Sequence, residues 1–167
     1  MKRGFTLIEM MVALFIFSIV LLAATGVFNH SQESFDWNFH RFILQSELRK
    51  ILLTMSQEIR ESSPSAPAPL TTGPNQITFQ IPTAVSGSQV TQWEQINYSL
   101  APDGTVVRAS GGQNSIIGNS VQSLNFTYPV NPLISPRTVQ IQITGTRNTL
   151  KRNVTATLTG QVTLRNP

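Results

Sequence analysis

The stretch Gly4-Phe5-Thr6-Leu7-Ile8-Glu9, followed by the uncharged run Met10–Phe28, decides how the rest of the chain reads. As a helix, the run reaches about 28 Å at ~1.5 Å per residue, close to the hydrocarbon core of a bilayer. Lys2 and Arg3 stand ahead of it, and Glu9 is a lone carboxylate in its first turn. Three readings compete. A secretory signal peptide shares the basic start and apolar core, yet Leu22-Ala23-Ala24 is a poor small-x-small cleavage site, and such peptides do not set an acid before the apolar run. A plain membrane anchor explains the length and the flanking charges and leaves Glu9 a local role. Thr6-Leu7-Ile8-Glu9 has capping-box spacing, in which the Glu reaches back to an orphan amide. In the third reading Glu9 has a function, since an ionisable group in a spanning helix is costly and usually has one.

On these residues the chain resembles the type IV prepilins, the family of type IV pilins and of the pseudopilins of type II secretion. The resemblance covers about the first 25 residues closely. It implies that a membrane aspartyl protease, the prepilin peptidase, cuts between Gly4 and Phe5 and methylates the new amino terminus on Phe5. Glu9 stands at the family's acid. Gly4 has no Cβ, so a protease holds the backbone extended there at little steric cost. Once the leader is gone, the amine of Phe5 lies one turn from Glu9, at i and i+4. In a stack of subunits Glu9 can pair instead with a neighbour's amine and fix the axial register. An unpaired carboxylate among apolar helices costs several kcal/mol, so wrong registers are penalised.

The chain has 167 residues, a formal charge of +4 and no cysteine, which excludes disulfides and thiolate metal sites. Processing would remove Lys2 and Arg3 and leave a less basic protein. All ten prolines lie at Pro64 or later, and of the ten glycines only Gly4 and Gly26 precede it. The front therefore reads as helix and the back does not. Beyond Phe28 the helix is expected to continue through Ser63. Phe35, Phe39, Phe42, Leu48, Leu52, Met55 and Ile59 are taken as its apolar stripe, with Gln45, Glu47, Lys50, Gln57 and Glu61 on the other side. Gly26 is expected to be its weakest point, at roughly 1 kcal/mol relative to Ala. Ser62–Pro69 is a stop signal and connector.

After the connector the apolar period changes to two. Ile77, Phe79 and Ile81 alternate with polar residues, as do Ile96, Tyr98 and Leu100. A turn at Ala101-Pro102-Asp103-Gly104 leads into Thr105–Arg108, and further strands are expected at Leu124–Tyr128, Val139–Ile143 and Val154–Leu164. The last carries Thr155, Thr157, Thr159 and Thr163 opposite its apolar residues. Such a sheet needs a cover on its apolar face, and the amphipathic helix is available. The expected class is α+β with the pilin fold. Its boundaries are a leader (1–4), a membrane and filament-core helix (5–28), an amphipathic helix (29–63), a Pro/Ser-rich linker (64–75) and an antiparallel sheet (76–167).

Val121–Tyr128 and Val162–Asn166 look like the J-type pseudopilins and the W-type minor pilins, subunits that start and tip the fibre. The resemblance implies sister minor subunits, a major pilin and an inner-membrane assembly platform as partners. By the positive-inside rule Lys2 and Arg3 stay cytoplasmic, Phe5–Phe28 spans the inner membrane and the sheet lies in the periplasm or at the fibre tip. Chemistry is sparse. After Glu61 the only acids are Glu94 and Asp103, and Asp103 belongs to its turn. His30 and His40 lie ten residues apart and do not share a helix face in the manner of an i, i+4 metal pair. Gly111-Gly112 sits in a polar loop without Lys and is no phosphate loop. No enzyme, metal or cofactor is expected.

A second class of function is a binding module on a pilin stalk. Arg108, Arg137, Arg147, Lys151, Arg152 and Arg165 face two acids after residue 61, and Arg147, Lys151 and Arg152 cluster in one hairpin connection. DNA phosphates would suit such a cluster, with Trp93 or Tyr98 stacking on bases. An ordinary solvated loop accounts for the same residues.

Overall fold

In the computed structural model, residues 6–62, 70–87, 89–127, 138–149 and 152–164 are described. Gly4, Phe5, most of the Ser62–Pro69 connector, Tyr128, Arg137, Lys151 and Arg165 lie outside them. One helix, α1 (Leu7–Glu61), is followed by eight strands. They are β1 (Thr71–Gly73), β2 (Gln76–Ser86), β3 (Gln89–Leu100), β4 (Val106–Ser110), β5 (Gln113–Gly118), β6 (Val121–Thr127), β7 (Thr138–Asn148) and β8 (Asn153–Thr163). The chain divides into two units, Met1–Phe39 and His40–Pro167.

The first unit holds the apolar part of α1. Its large apolar side chains from Leu7 to Phe28 are exposed, with Leu7 at 80 % and Leu22 at 74 %. By length and composition α1 is able to cross a membrane. Polar side chains in this part are satisfied within the helix, as Ser18 Oγ donates to the Leu14 carbonyl at 2.7 Å and Thr25 Oγ1 to that of Leu22 at 3.0 Å. The helix runs unbroken through Gly26, and no atom lies near enough to require glycine there.

In the second unit α1 turns Leu44, Leu48, Ile51, Met55 and Ile59 into the core at steps of four, three, four and four, and all five are buried. The expected stripe was therefore partly misplaced. Phe42 is 70 % exposed. At 100° per residue it stands roughly 200° around the helix from Leu44, on the opposite side. Phe35 and Phe39 are likewise exposed in the first unit, their rings stacked with centroids 6.2 Å apart. Leu52 is only half-buried. The helix stops at Glu61, where the Ser62 amide and hydroxyl both donate to the Ile59 carbonyl, at 3.1 and 2.6 Å.

The strands form two antiparallel sheets where one was expected, with order β1-β2-β3-β4-β5 and β6-β7-β8. Between β5 and β6 lie only Asn119 and Ser120, and Ser120 has φ 62°. There the chain leaves the first sheet: the Val121 amide donates to the Gly104 carbonyl at 3.0 Å and the Thr146 amide to the Ser120 carbonyl at 2.9 Å. Strands β1 and β5 were not anticipated. β1 falls inside the segment read as linker. β5 is joined to β4 by Gly111-Gly112, both at positive φ, so this pair is a hairpin turn rather than an open polar loop.

Each sheet alternates as expected. Ile77, Phe79, Ile96, Tyr98, Val106, Leu124, Val139, Ile141, Ile143, Val154 and Val162 are buried. Helix and sheets approach closely at two glycines. A Cβ at Gly118 would lie 2.4 Å from Ile51 Cδ1, and one at Gly145 would lie 2.8 Å from the Ser120 carbonyl oxygen and 2.9 Å from Leu48 Cδ2. Only glycine admits that distance.

Candidate assembly site

Thr6 and Glu9 build the start of α1. Glu9 Oε2 accepts from the Thr6 amide and from Thr6 Oγ1, both at 2.9 Å, and the Glu9 amide donates to Thr6 Oγ1 at 3.3 Å. This is the reciprocal capping box that the spacing implied. Both Thr6 donors converge on one carboxylate oxygen, and a carboxylate accepts about four bonds. Glu9 is thus held in a fixed rotamer with acceptor capacity to spare, next to an exposed apolar helix surface. The geometry supplies a preorganised acid at the mouth of the hydrophobic run.

A second polar constellation was not foreseen. Glu58 stands on α1 between the buried Met55 and Ile59, where a carboxylate needs partners. Its Oε2 accepts from the Tyr98 hydroxyl at 2.8 Å, and Arg108 Nε bridges Oε1 and Oε2 at 3.0 Å each. Tyr98 and Arg108 face each other across β3 and β4. Burial, then the Glu58 hydrogen bond, pushes the Tyr98 hydroxyl well above the usual phenol range. The hydrogen bond that Arg108 donates to Glu58 raises the guanidinium further. The sequence held a signal for it: an acid inside the core stripe, and a tyrosine and an arginine on one sheet face.

This constellation corrects the basic-surface reading at two residues, Arg108 and Tyr98. Arg108 is an ion-pair partner rather than a free base, and Tyr98 is fully buried and unable to stack on a nucleobase. Trp93 remains half-exposed, lining a shallow hollow with Glu94, Gln95, Asn97 and the Gly111-Gly112 turn. Arg147 lies near the tip of β7 and Arg152 immediately precedes β8, in a hairpin whose loop is closed by the Thr149 amide donating to the Arg152 carbonyl at 3.0 Å. Three other acids hold hydrogen-bond donors. Asp103 Oδ1 accepts from the Thr105 hydroxyl at 2.7 Å and from its amide at 3.0 Å, which hold its carboxyl below the ordinary range. Glu47, assigned to the solvent side, takes the Asn119 amide at 3.1 Å, and Glu94 accepts from Ser110 Oγ. Among the described residues no His, Asp and Glu cluster has metal-site geometry.

An exposed apolar helix opening on a capped acid, and a helix segment packed on antiparallel sheets, give a pilin-like α+β architecture whose N-terminal helix fits a single-pass membrane anchor. Residues 1–25 match the family described as the prokaryotic N-terminal methylation motif, the class III signal peptide, and this match supports a type IV prepilin-family protein. The motif implies processing by the prepilin peptidase and membrane-associated pilus assembly. No curated protein and no solved structure matches the chain.

Proposed function

We propose that the protein is a structural subunit that initiates or tips a fibre of the type IV pilus or type II secretion pseudopilus kind, as a minor pilin or pseudopilin. The observation that carries this reading is the Thr6–Glu9 capping box inside the matched motif, at the head of an exposed apolar helix. Cleavage after Gly4 frees the amine of Phe5, which is then methylated. Phe5–Phe28 holds the subunit in the inner membrane with the strand-rich unit in the periplasm, until an assembly platform extracts it among sister subunits. Glu9, fixed by Thr6, takes the amine of a neighbouring subunit and sets the register between helices. The testing measurement is intact mass and N-terminal sequencing of membrane-derived protein, with and without the prepilin peptidase. A mature chain beginning at methylated Phe5, with the uncut form accumulating when the peptidase is missing, is expected. A chain beginning at Met1 in both preparations overturns the reading.

A further inference from the structure

Every sheet edge is a row of unpaired backbone donors and acceptors that other strands can use, and proteins ordinarily blunt it with shortness, charge, proline or a bulge. Among the described residues the two sheets have four edges, and three of them are blunted. β1 has three residues, β5 has six with a bulge in its pairing to β4, and β6 is bulged between Val121 and Ser123. β8 differs. It runs eleven residues, Asn153–Thr163, without a charge or a proline, and pairs with β7 through all eleven positions without a register shift. Among the described residues β7 is its one strand partner.

The sequence of β8 is also nearly symmetric about Leu158. Val154 answers Val162, Ala156 answers Gly160, and Thr157 answers Thr159. Thr155 answers Gln161, polar with polar. Two copies of such a strand laid antiparallel about a two-fold axis at Leu158 set β-branched against β-branched, small against small and threonine against threonine, with no like charges opposed. The core face is unfinished at the same point. Val154 and Val162 are each 1 % exposed, whereas Leu158 between them is only half-buried. The geometry points to β8 as a self-recognition edge. It takes β8 of a second copy of this chain, so that two three-stranded sheets become one six-stranded sheet with the two Leu158 side chains paired on the axis. This goes beyond the fibre reading and does not depend on it.

The test uses the full-length chain in mild detergent, with mass measured by sedimentation. The doubly substituted Thr157→Lys/Thr159→Lys puts four like charges around the axis at exposed positions, and is expected to weaken association roughly tenfold or more. Asn125→Lys adds the same charge to the same sheet face two strands inward and is expected to leave the dimer intact. A wild-type monomer at tens of micromolar overturns the proposal. So does a dimer that survives the double lysine change, since association then runs through another surface, and so does loss of the dimer with Asn125→Lys, which places the contact on the face. A register test serves even if the lysine variant folds poorly. The chain has no cysteine to interfere. Directly opposed residues lie about 4.5–5.5 Å apart and diagonal ones about 7–8 Å, and only the former suit a disulfide. Thr157→Cys/Thr159→Cys is therefore expected to give a covalent dimer on mild oxidation, and either single change little. Equal yields from the double and the single variants overturn the register.

Discussion

Tyr98, Glu58 and Arg108 form a hydrogen-bonded triad where α1 meets β3 and β4. Removing Glu58 leaves a buried hydroxyl without its acceptor and a guanidinium without its counter-charge. Glu58 and Arg108 keep about a fifth to a quarter of their side-chain surface in water, at 22 % and 25 %, so the loss stays below that of a fully buried pair. Glu58→Ala is expected to cost about 1–3 kcal/mol in thermal melts of the full chain in detergent. Tyr98 also carries a pH signature. Its folded-state pKa is raised, so the unfolded chain gives up the proton first, from about pH 10, the ordinary phenol value. The contribution is complete below that value and is lost as pH rises above it. Tyr98→Phe should therefore lower stability near neutrality by about 1 kcal/mol, through the lost bond to Glu58, and flatten the alkaline limb of the stability curve. An unchanged alkaline limb would remove Tyr98 as its source.

At the scale of elements, the close approach of α1 to the sheets fixes what can be substituted. An Ala at Gly145 sets its Cβ against the Ser120 carbonyl as well as against Leu44 and Leu48, and backbone cannot swing aside as a side chain can. Gly145→Ala is expected to destabilise by about 1–3 kcal/mol, the usual cost of overpacking. Leu48→Ala should cost about 2–5 kcal/mol and Phe42→Ser under about 0.5 kcal/mol in the same melts, because one faces the core and the other faces water. Those two residues also mark what was legible beforehand. The strands were readable wherever a period of two ran for several residues, as in β2, β3, β7 and β8. The apolar face of α1 was readable at Leu48, Met55 and Ile59 but not before them, because Phe42 and Leu44 are both apolar and stand on opposite sides of one helix, so a pattern of apolar spacings fits either. β5 was missed because its residues are mostly exposed and its signal lay in the Gly111-Gly112 turn. The division into two sheets depends on the left-handed Ser120, for which a serine gives no local warning. At the site, Glu9 and its cap were readable from four residues in a row, whereas the Glu58 constellation joins residues 40 and 50 apart in sequence.

For the molecule as a whole, the division into two units makes a separation testable. Glu9 lies in the first unit and every buried residue of the sheets in the second. Substitutions in separate units with no shared partners act independently on stability. Glu9→Ala removes the acceptor for both Thr6 donors, a helix-start effect confined to the first turn. The melting of the strand-rich unit should then be unchanged within error, while incorporation into fibres falls sharply. Thr6→Ala gives the complementary outcome: it removes the hydroxyl that binds Glu9 but keeps the residue 6 amide as a donor and keeps the charge, so fibres still form, more slowly. If Glu9 served only as a cap, Glu9→Ala would exceed Thr6→Ala by no more than the one remaining bond from the residue 6 amide, and incorporation would fall little in either. Normal incorporation of Glu9→Ala would remove the register mechanism and leave a capped membrane anchor. Counting subunits in fibres purified from cells that express each variant, beside melts of the same proteins, separates these outcomes.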